Sequence, residues 1–123
     1  MQKFYCVEDA IAYIESHLTT DCTGQTIAKS VYYSRYHFHR VFAEVARETV
    51  NNYLRKRRLT EAAKRLIETR ERIIDLAVTY QFESQAAFTR SFKQMFGLTP
   101  ARYRQNAKHL YHLYKQEIDL EAL

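Results

Sequence analysis

Arg40 and Arg90 stand 50 residues apart in a chain of 123, and each closes a short run of side chains able to touch the edge of a base. Tyr36, His39 and Arg40 lie at i, i+3 and i+4, so on a helix they project together, with Ser34 and Arg35 beside them. Gln85, Ala86, Thr89 and Arg90 form the corresponding run. Arginine can take guanine O6 and N7 through two hydrogen bonds, glutamine can do the same to adenine, and tyrosine, threonine and alanine can meet a thymine methyl. The two sets differ in chemistry, so any half-sites they read should be unlike. Structural alternatives stand beside this: Arg40 paired with Glu44, Arg90 paired with Glu83, and Tyr36 packed against the preceding turn.

Both runs need helices to carry them. The composition, 46% apolar and 27% charged with 2 Gly and 1 Pro, is poor in the turn residues of all-β folds and points to an all-α protein. Apolar residues at helical spacing predict seven helices. The first spans about Val7 to Leu18, and a short second one starts at Thr23-Gly24 with Ile27 and Ala28 inward. Ser34 caps a third, striped by Phe38, Val41, Phe42 and Val45, and Thr49 caps a fourth that reaches about Ile67. The fifth runs from about Glu71 to Tyr80, Ser84 caps the sixth, and Gly97, Thr99 and Pro100 stop it and start the seventh. From Gln105 onward, Leu110, Leu113, Tyr114, Glu117, Ile118 and Glu121 keep helical intervals, giving a tail helix. That tail packs on the body, dimerises or links to a further domain. The expected organisation is a first helix-turn-helix subdomain at 1–48, a linker helix at 49–67, a second subdomain at 68–105 and the tail at 106–123.

The chain repeats itself. An offset of 50 pairs Ser34 with Ser84, Phe38 with Phe88, Arg40 with Arg90, Phe42 with Phe92, Thr49 with Thr99 and Tyr53 with Tyr103. Upstream the offset is 49, pairing Ile27-Ala28 with Leu76-Ala77 and Tyr33 with Phe82. Each copy is a short helix with an inward alanine, an aromatic turn, a serine cap and a helix anchored by two phenylalanines, which is the logic of a helix-turn-helix. A linker helix of ~19 residues would span ~28 Å, comparable to the ~34 Å between successive major-groove faces.

Between Ser34 and Lys108 there are 16 basic and 7 acidic residues, while the overall net charge is only +5. A basic body of this kind implies a polyanionic partner, nucleic acid or an anionic membrane surface. The membrane reading lacks a stretch long enough to span, and the aromatic residues repeat at core spacing. Arg55 to Arg58 are either phosphate contacts or an ordinary solvated face. Cys6 and Cys22 lack metal or redox spacing and read as free thiols in a reducing cytosol; His109 and His112 read as a solvated pair. No phosphate loop, ligand cluster or nucleophile with a base at recognisable spacing supports an enzyme, and no cofactor or metal is implied.

The runs Ser34-Arg35-Tyr36-His37-Phe38-His39-Arg40-Val41-Phe42, Arg58-Leu59-Thr60-Glu61-Ala62-Ala63 and Phe82-Glu83-Ser84-Gln85-Ala86-Ala87-Phe88-Thr89-Arg90-Ser91-Phe92-Lys93, followed by Gly97-Leu98-Thr99-Pro100-Ala101-Arg102-Tyr103-Arg104, resemble the DNA-binding domain of the AraC/XylS transcription regulators. The resemblance covers about residues 7–105. It implies a transcription regulator, a monomeric activator that lays its third and sixth helices in adjacent major grooves of double-stranded DNA, bending it, and touches RNA polymerase. A cytoplasmic location is expected from the lack of a leader-like or membrane-spanning apolar run. It places base readout on Tyr36, His39, Arg40, Gln85, Ala86, Ala87, Thr89 and Arg90. Backbone contacts fall on the caps and nearby basic residues: Ser34, Arg35, Arg55, Arg57, Ser84, Lys93 and Thr99. A DNA-binding module of a larger ligand-responsive regulator and a non-specific nucleic-acid-binding helical protein stay open as alternatives. Where the family has glycine in the first turn, after the third helix and in the second turn, this chain has Tyr32, Arg47 and Gln81. A left-handed backbone at each would cost a non-glycine residue ~1–2 kcal/mol.

Overall fold

The structure, a computed structural model, describes residues 2–121, with side chains through residue 110. Among the described residues seven helices follow one another: α1 (Gln2–Glu15), α2 (Gly24–Ser30), α3 (Arg35–Ala46), α4 (Val50–Glu68), α5 (Ile73–Thr79), α6 (Gln85–Phe96) and α7 (Pro100–Glu121). Among the described residues there is no strand, and no helix is long and apolar enough to cross a membrane. The fold is all-α, as the periodicity predicts.

Two compact units divide the chain, one of Met1–Arg58 with Thr79–Gln81 and one of Leu59–Val78 with Phe82–Leu123. In the first, α1 packs on α2 and α3, and α2 on α3. The buried stripe of α1 is Cys6, Val7, Ala10 and Ile14, so the helix starts one turn earlier than the apolar pattern suggests, on exposed residues Gln2 to Tyr5. It also ends sooner. His17 stacks on Tyr13 and its Nδ1 lies 2.7 Å from the Tyr13 carbonyl, and tight turns then carry the chain past a still-buried Leu18.

The repeat is visible atom by atom within each unit. Ile27, Ala28, Phe38 and Phe42 in the first, and Leu76, Ala77, Phe88 and Phe92 in the second, are all fully or nearly fully buried. Burying a phenylalanine contributes roughly 1.5–3 kcal/mol, so each pair anchors its helix firmly. Phe38 and Phe42 stand 5.8 Å apart and Phe88 and Phe92 5.7 Å; Phe42 meets Tyr53 edge-on at 5.7 Å and Phe92 meets Tyr103 edge-on at 5.3 Å. Tyr33 donates its N–H to the Ala28 carbonyl, as Phe82 does to Ala77. Caps match as well: Ser34 Oγ accepts from the His37 N–H and Ser84 Oγ from Ala87, while Thr49 Oγ1 accepts from Asn52 and Thr99 Oγ1 from Arg102.

Tyr32 (φ 62°), Arg47 (φ 64°) and Gln81 (φ 67°) all adopt the left-handed backbone expected of glycine, as does Gly97 (φ 80°). The chain therefore carries three strained positions at ~1–2 kcal/mol each. Gln81 obtains something in return, because its Nε2 donates to the Thr19 carbonyl at 3.0 Å. Beyond residue 105 the expected tail continues along α7 to Glu121, and Leu110 is 65% exposed. The side chains of His112, Leu113, Tyr114, Glu117, Ile118 and Glu121, and the tail's final residues, lie outside the described residues.

Candidate nucleic-acid interface

Burying two phenylalanines on one side of a helix leaves the other side to solvent, and that is how α3 and α6 present their polar residues. On α3, Arg35, Tyr36 and Arg40 are exposed, Tyr36 at 74%, and the Arg40 guanidinium lies 5.8 Å from the Tyr36 ring centroid. This cation–π contact holds the two side chains together as one surface. Arg40 is not paired with Glu44, which instead receives Lys3 at 3.3 Å. On α6, Gln85, Ala86 and Arg90 are exposed, with Ala87 and Thr89 half-buried beside them. Glu83 makes no ion pair with Arg90 among the described residues.

His39 is placed differently from its neighbours. Its ring is edge-on to Phe38 at 5.9 Å, and its Nε2 is buried without a hydrogen-bond partner. Leaving a polar atom so placed costs ~1–3 kcal/mol. The structure thus gathers Tyr36 and Arg40 on the outer face of α3 and turns the His39 ring away from them, toward Gly24.

The basic face of α4 also separates into distinct duties. Arg57 makes two hydrogen bonds to Glu15, at 2.6 and 2.9 Å, and Lys56 pairs with Glu48 at 3.0 Å. Arg58 donates to the carbonyls of Leu18 and Thr20, at 2.9 and 2.8 Å, where the chain leaves α1. Burial pulls its guanidinium below the usual arginine pKa, against the opposing influence of Cys22 and Asp21. Arg55 stays exposed and donates to Asn52 on its own helix. In the second unit Arg104 repeats the action of Arg58, donating to the carbonyls of Leu66 and Glu71 at 2.8 and 2.7 Å. Carbonyls at a helix end and in the turns beyond it lack helical partners, and these two arginines satisfy them. Neither role could be found from spacing, since donor and acceptors lie 33 to 40 residues apart.

Lys93 and Thr99 come together with Gly97, Leu98 and Arg102 around a shallow cavity of about 360 Å³ at the start of α7. A helix N-terminus flanked by cations favours an anion. Ser34 and Ser84 sit at the corresponding starts of α3 and α6.

A family profile described as a helix-turn-helix domain matches residues 27–106, which takes in α3, α4, α5 and α6 entirely. The chain belongs to the AraC-type helix-turn-helix family. It is 43% identical over 102 residues to the probable transcription factor PqrA of Proteus vulgaris, covering 81% of this chain and 84% of that one. It is 46% identical over 98 residues to YbfP of Bacillus subtilis, an uncharacterized HTH-type transcriptional regulator; there it covers 80% of this chain but only 33% of the relative. Among solved structures it is similar to the C-terminal domain of AraT, a response regulator from Geobacillus stearothermophilus, with a TM-score of 0.78, 26% identity, and 82% and 84% of the two chains covered. AraC-type chains therefore include proteins near this length and others about three times longer.

Proposed function

We propose that this AraC-type chain binds double-stranded DNA by sequence and regulates transcription, each unit reading its own stretch of major groove with the outer face of α3 or α6. The observation that carries this reading is the repeated exposed arginine: Arg40 and Arg90 occupy equivalent places on helices whose opposite sides bury matching phenylalanines. Base readout is assigned to Tyr36 and Arg40 in the first unit, and to Gln85, Ala86, Ala87, Thr89 and Arg90 in the second. Phosphate contacts are assigned to Ser34, Arg35, Arg55, Ser84, Lys93 and Thr99, because these are exposed, cap a helix, or line the α7 cavity. Arg57 is committed to Glu15 and is assigned to structure instead. The activity is binding without bond chemistry. The reading includes a cytoplasmic location, action as a monomer and a contact with RNA polymerase.

The test is selection of binding sites from random duplex DNA, followed by gel-shift titration of variants. Arg40→Ala and Arg90→Ala should each weaken specific binding by ~1–3 kcal/mol and relax the preference at one base pair. Unchanged affinity and unchanged selected sequence in both variants would overturn the assignment. A reporter with the selected site placed upstream of a promoter separates activation from repression. A second reading, a module within a larger regulator, is favoured by YbfP, in which the matched segment is a third of the protein.

A further inference from the structure

Gly24 is the first residue of α2, and it is buried. A Cβ built there would lie 2.4 Å from Nε2 and 3.0 Å from Cε1 of His39, so the imidazole occupies the space any side chain at position 24 would need. The ring touches bare backbone, and its inward nitrogen has no hydrogen-bond partner. What holds it there is fit. The second unit carries the opposite combination. The repeat aligns Gly24 with Ile73, the first residue of α5, and His39 with Thr89 on α6. One copy has a small residue on the supporting helix and a large one on the outer helix; the other has them exchanged. An exchange of this kind, read from the aligned sequences, is what conserving volume between a supporting and an outer helix requires.

We infer that His39 is a positioning residue and Gly24 its seat: together they set the approach of α2 to α3, and through it the presentation of Tyr36 and Arg40 to DNA. This rests on the reading that the outer face of α3 contacts bases. Gly24→Ala would drive the ring out of its seat toward the face that carries Tyr36 and Arg40, whereas removing the ring in Gly24→Ala/His39→Ala would give the new methyl its room. The pair borrowed from the other unit, Gly24→Ile/His39→Thr, should likewise be tolerated where Gly24→Ile alone is not.

The experiment starts from the site that the wild-type chain selects. Expected are a tenfold or greater loss of affinity for that site in Gly24→Ala, less than twofold change on random duplex, and recovery to within threefold of wild type in Gly24→Ala/His39→Ala. His39→Ala alone should weaken binding a few-fold while selecting the same bases. Should Gly24→Ala fail to fold, as judged by circular dichroism, the double variant should fold and bind, which carries the same meaning. Wild-type affinity in Gly24→Ala, or a double variant no better than Gly24→Ala, overturns the positioning role while leaving the DNA reading intact. Loss of preference at a single base in His39→Ala makes His39 a reader and also overturns it. If the wild-type chain selects no sequence, the DNA reading itself falls, and this inference with it.

Discussion

Tyr32, Arg47 and Gln81 share a backbone conformation that suits glycine, and the Gln81 side chain donates a hydrogen bond to the Thr19 carbonyl. Tyr32 is 96% exposed and Arg47 is exposed at the end of α3. Replacing either by glycine should raise stability by about 0.5–1 kcal/mol, the relief of left-handed strain less the added freedom of the unfolded chain. Gln81→Gly should gain less or lose, because the bond to Thr19 goes with it. Urea midpoints at constant slope measure all three, and equal gains would contradict the role given to Gln81. The left-handed positions were legible through the family's glycines, whereas the Gln81 contact spans 62 residues and leaves no local trace. Both thiols behave alike: burial pushes Cys6 and Cys22 above the ordinary cysteine pKa. Since the thiolate is the reactive form, both should react with a disulfide reagent at pH 7.5 at least tenfold more slowly in the folded protein than in urea.

At the scale of elements, helix starts that carry a serine or threonine cap were readable, as was the stop at Gly97, whereas the uncapped starts of α1 and α5 were not. A cap acts within three residues, so Ser34, Thr49, Ser84 and Thr99 announce themselves by type and position. Alanine at any one of them should cost ~1 kcal/mol. The end of α4 depends on Thr69, whose hydroxyl donates to the Arg65 carbonyl and accepts from the Glu71 N–H, and on Arg104 reaching back from α7. With the Glu71 N–H given to Thr69 and the Glu71 carbonyl to Arg104, residue 71 is held in the turn, and α5 starts at Ile73 and not at Glu71. Arg58→Ala and Arg104→Ala each strip a charged donor from two carbonyls and should cost ~1.5–3 kcal/mol. Thermal denaturation checks this, and a loss below that of the cap variants would demote the two arginines to surface residues.

For the molecule as a whole, the seven-helix plan and the duplication were legible because a 3.6-residue period and a 50-residue offset are both written in side-chain type. The duties within the basic face were hidden, since charge alone does not distinguish an arginine that holds Glu15 from one that faces solvent. Salt dependence of DNA binding makes the distinction. Lys93→Ala should lower the slope of log affinity against log salt by about 1, while Arg57→Ala should leave it unaltered. The reverse result would exchange the parts given to Arg57 on α4 and Lys93 on α6. Finally, the duplicated units are not interchangeable: one offers a tyrosine and an arginine, the other a glutamine, alanines, a threonine and an arginine. A target spelled by two such unequal words has no dyad. Under the proposed reading it is read in only one direction, so the bound chain would acquire a head and a tail along the duplex, and flipping the target would about-turn whichever protein surface faces the neighbouring gene.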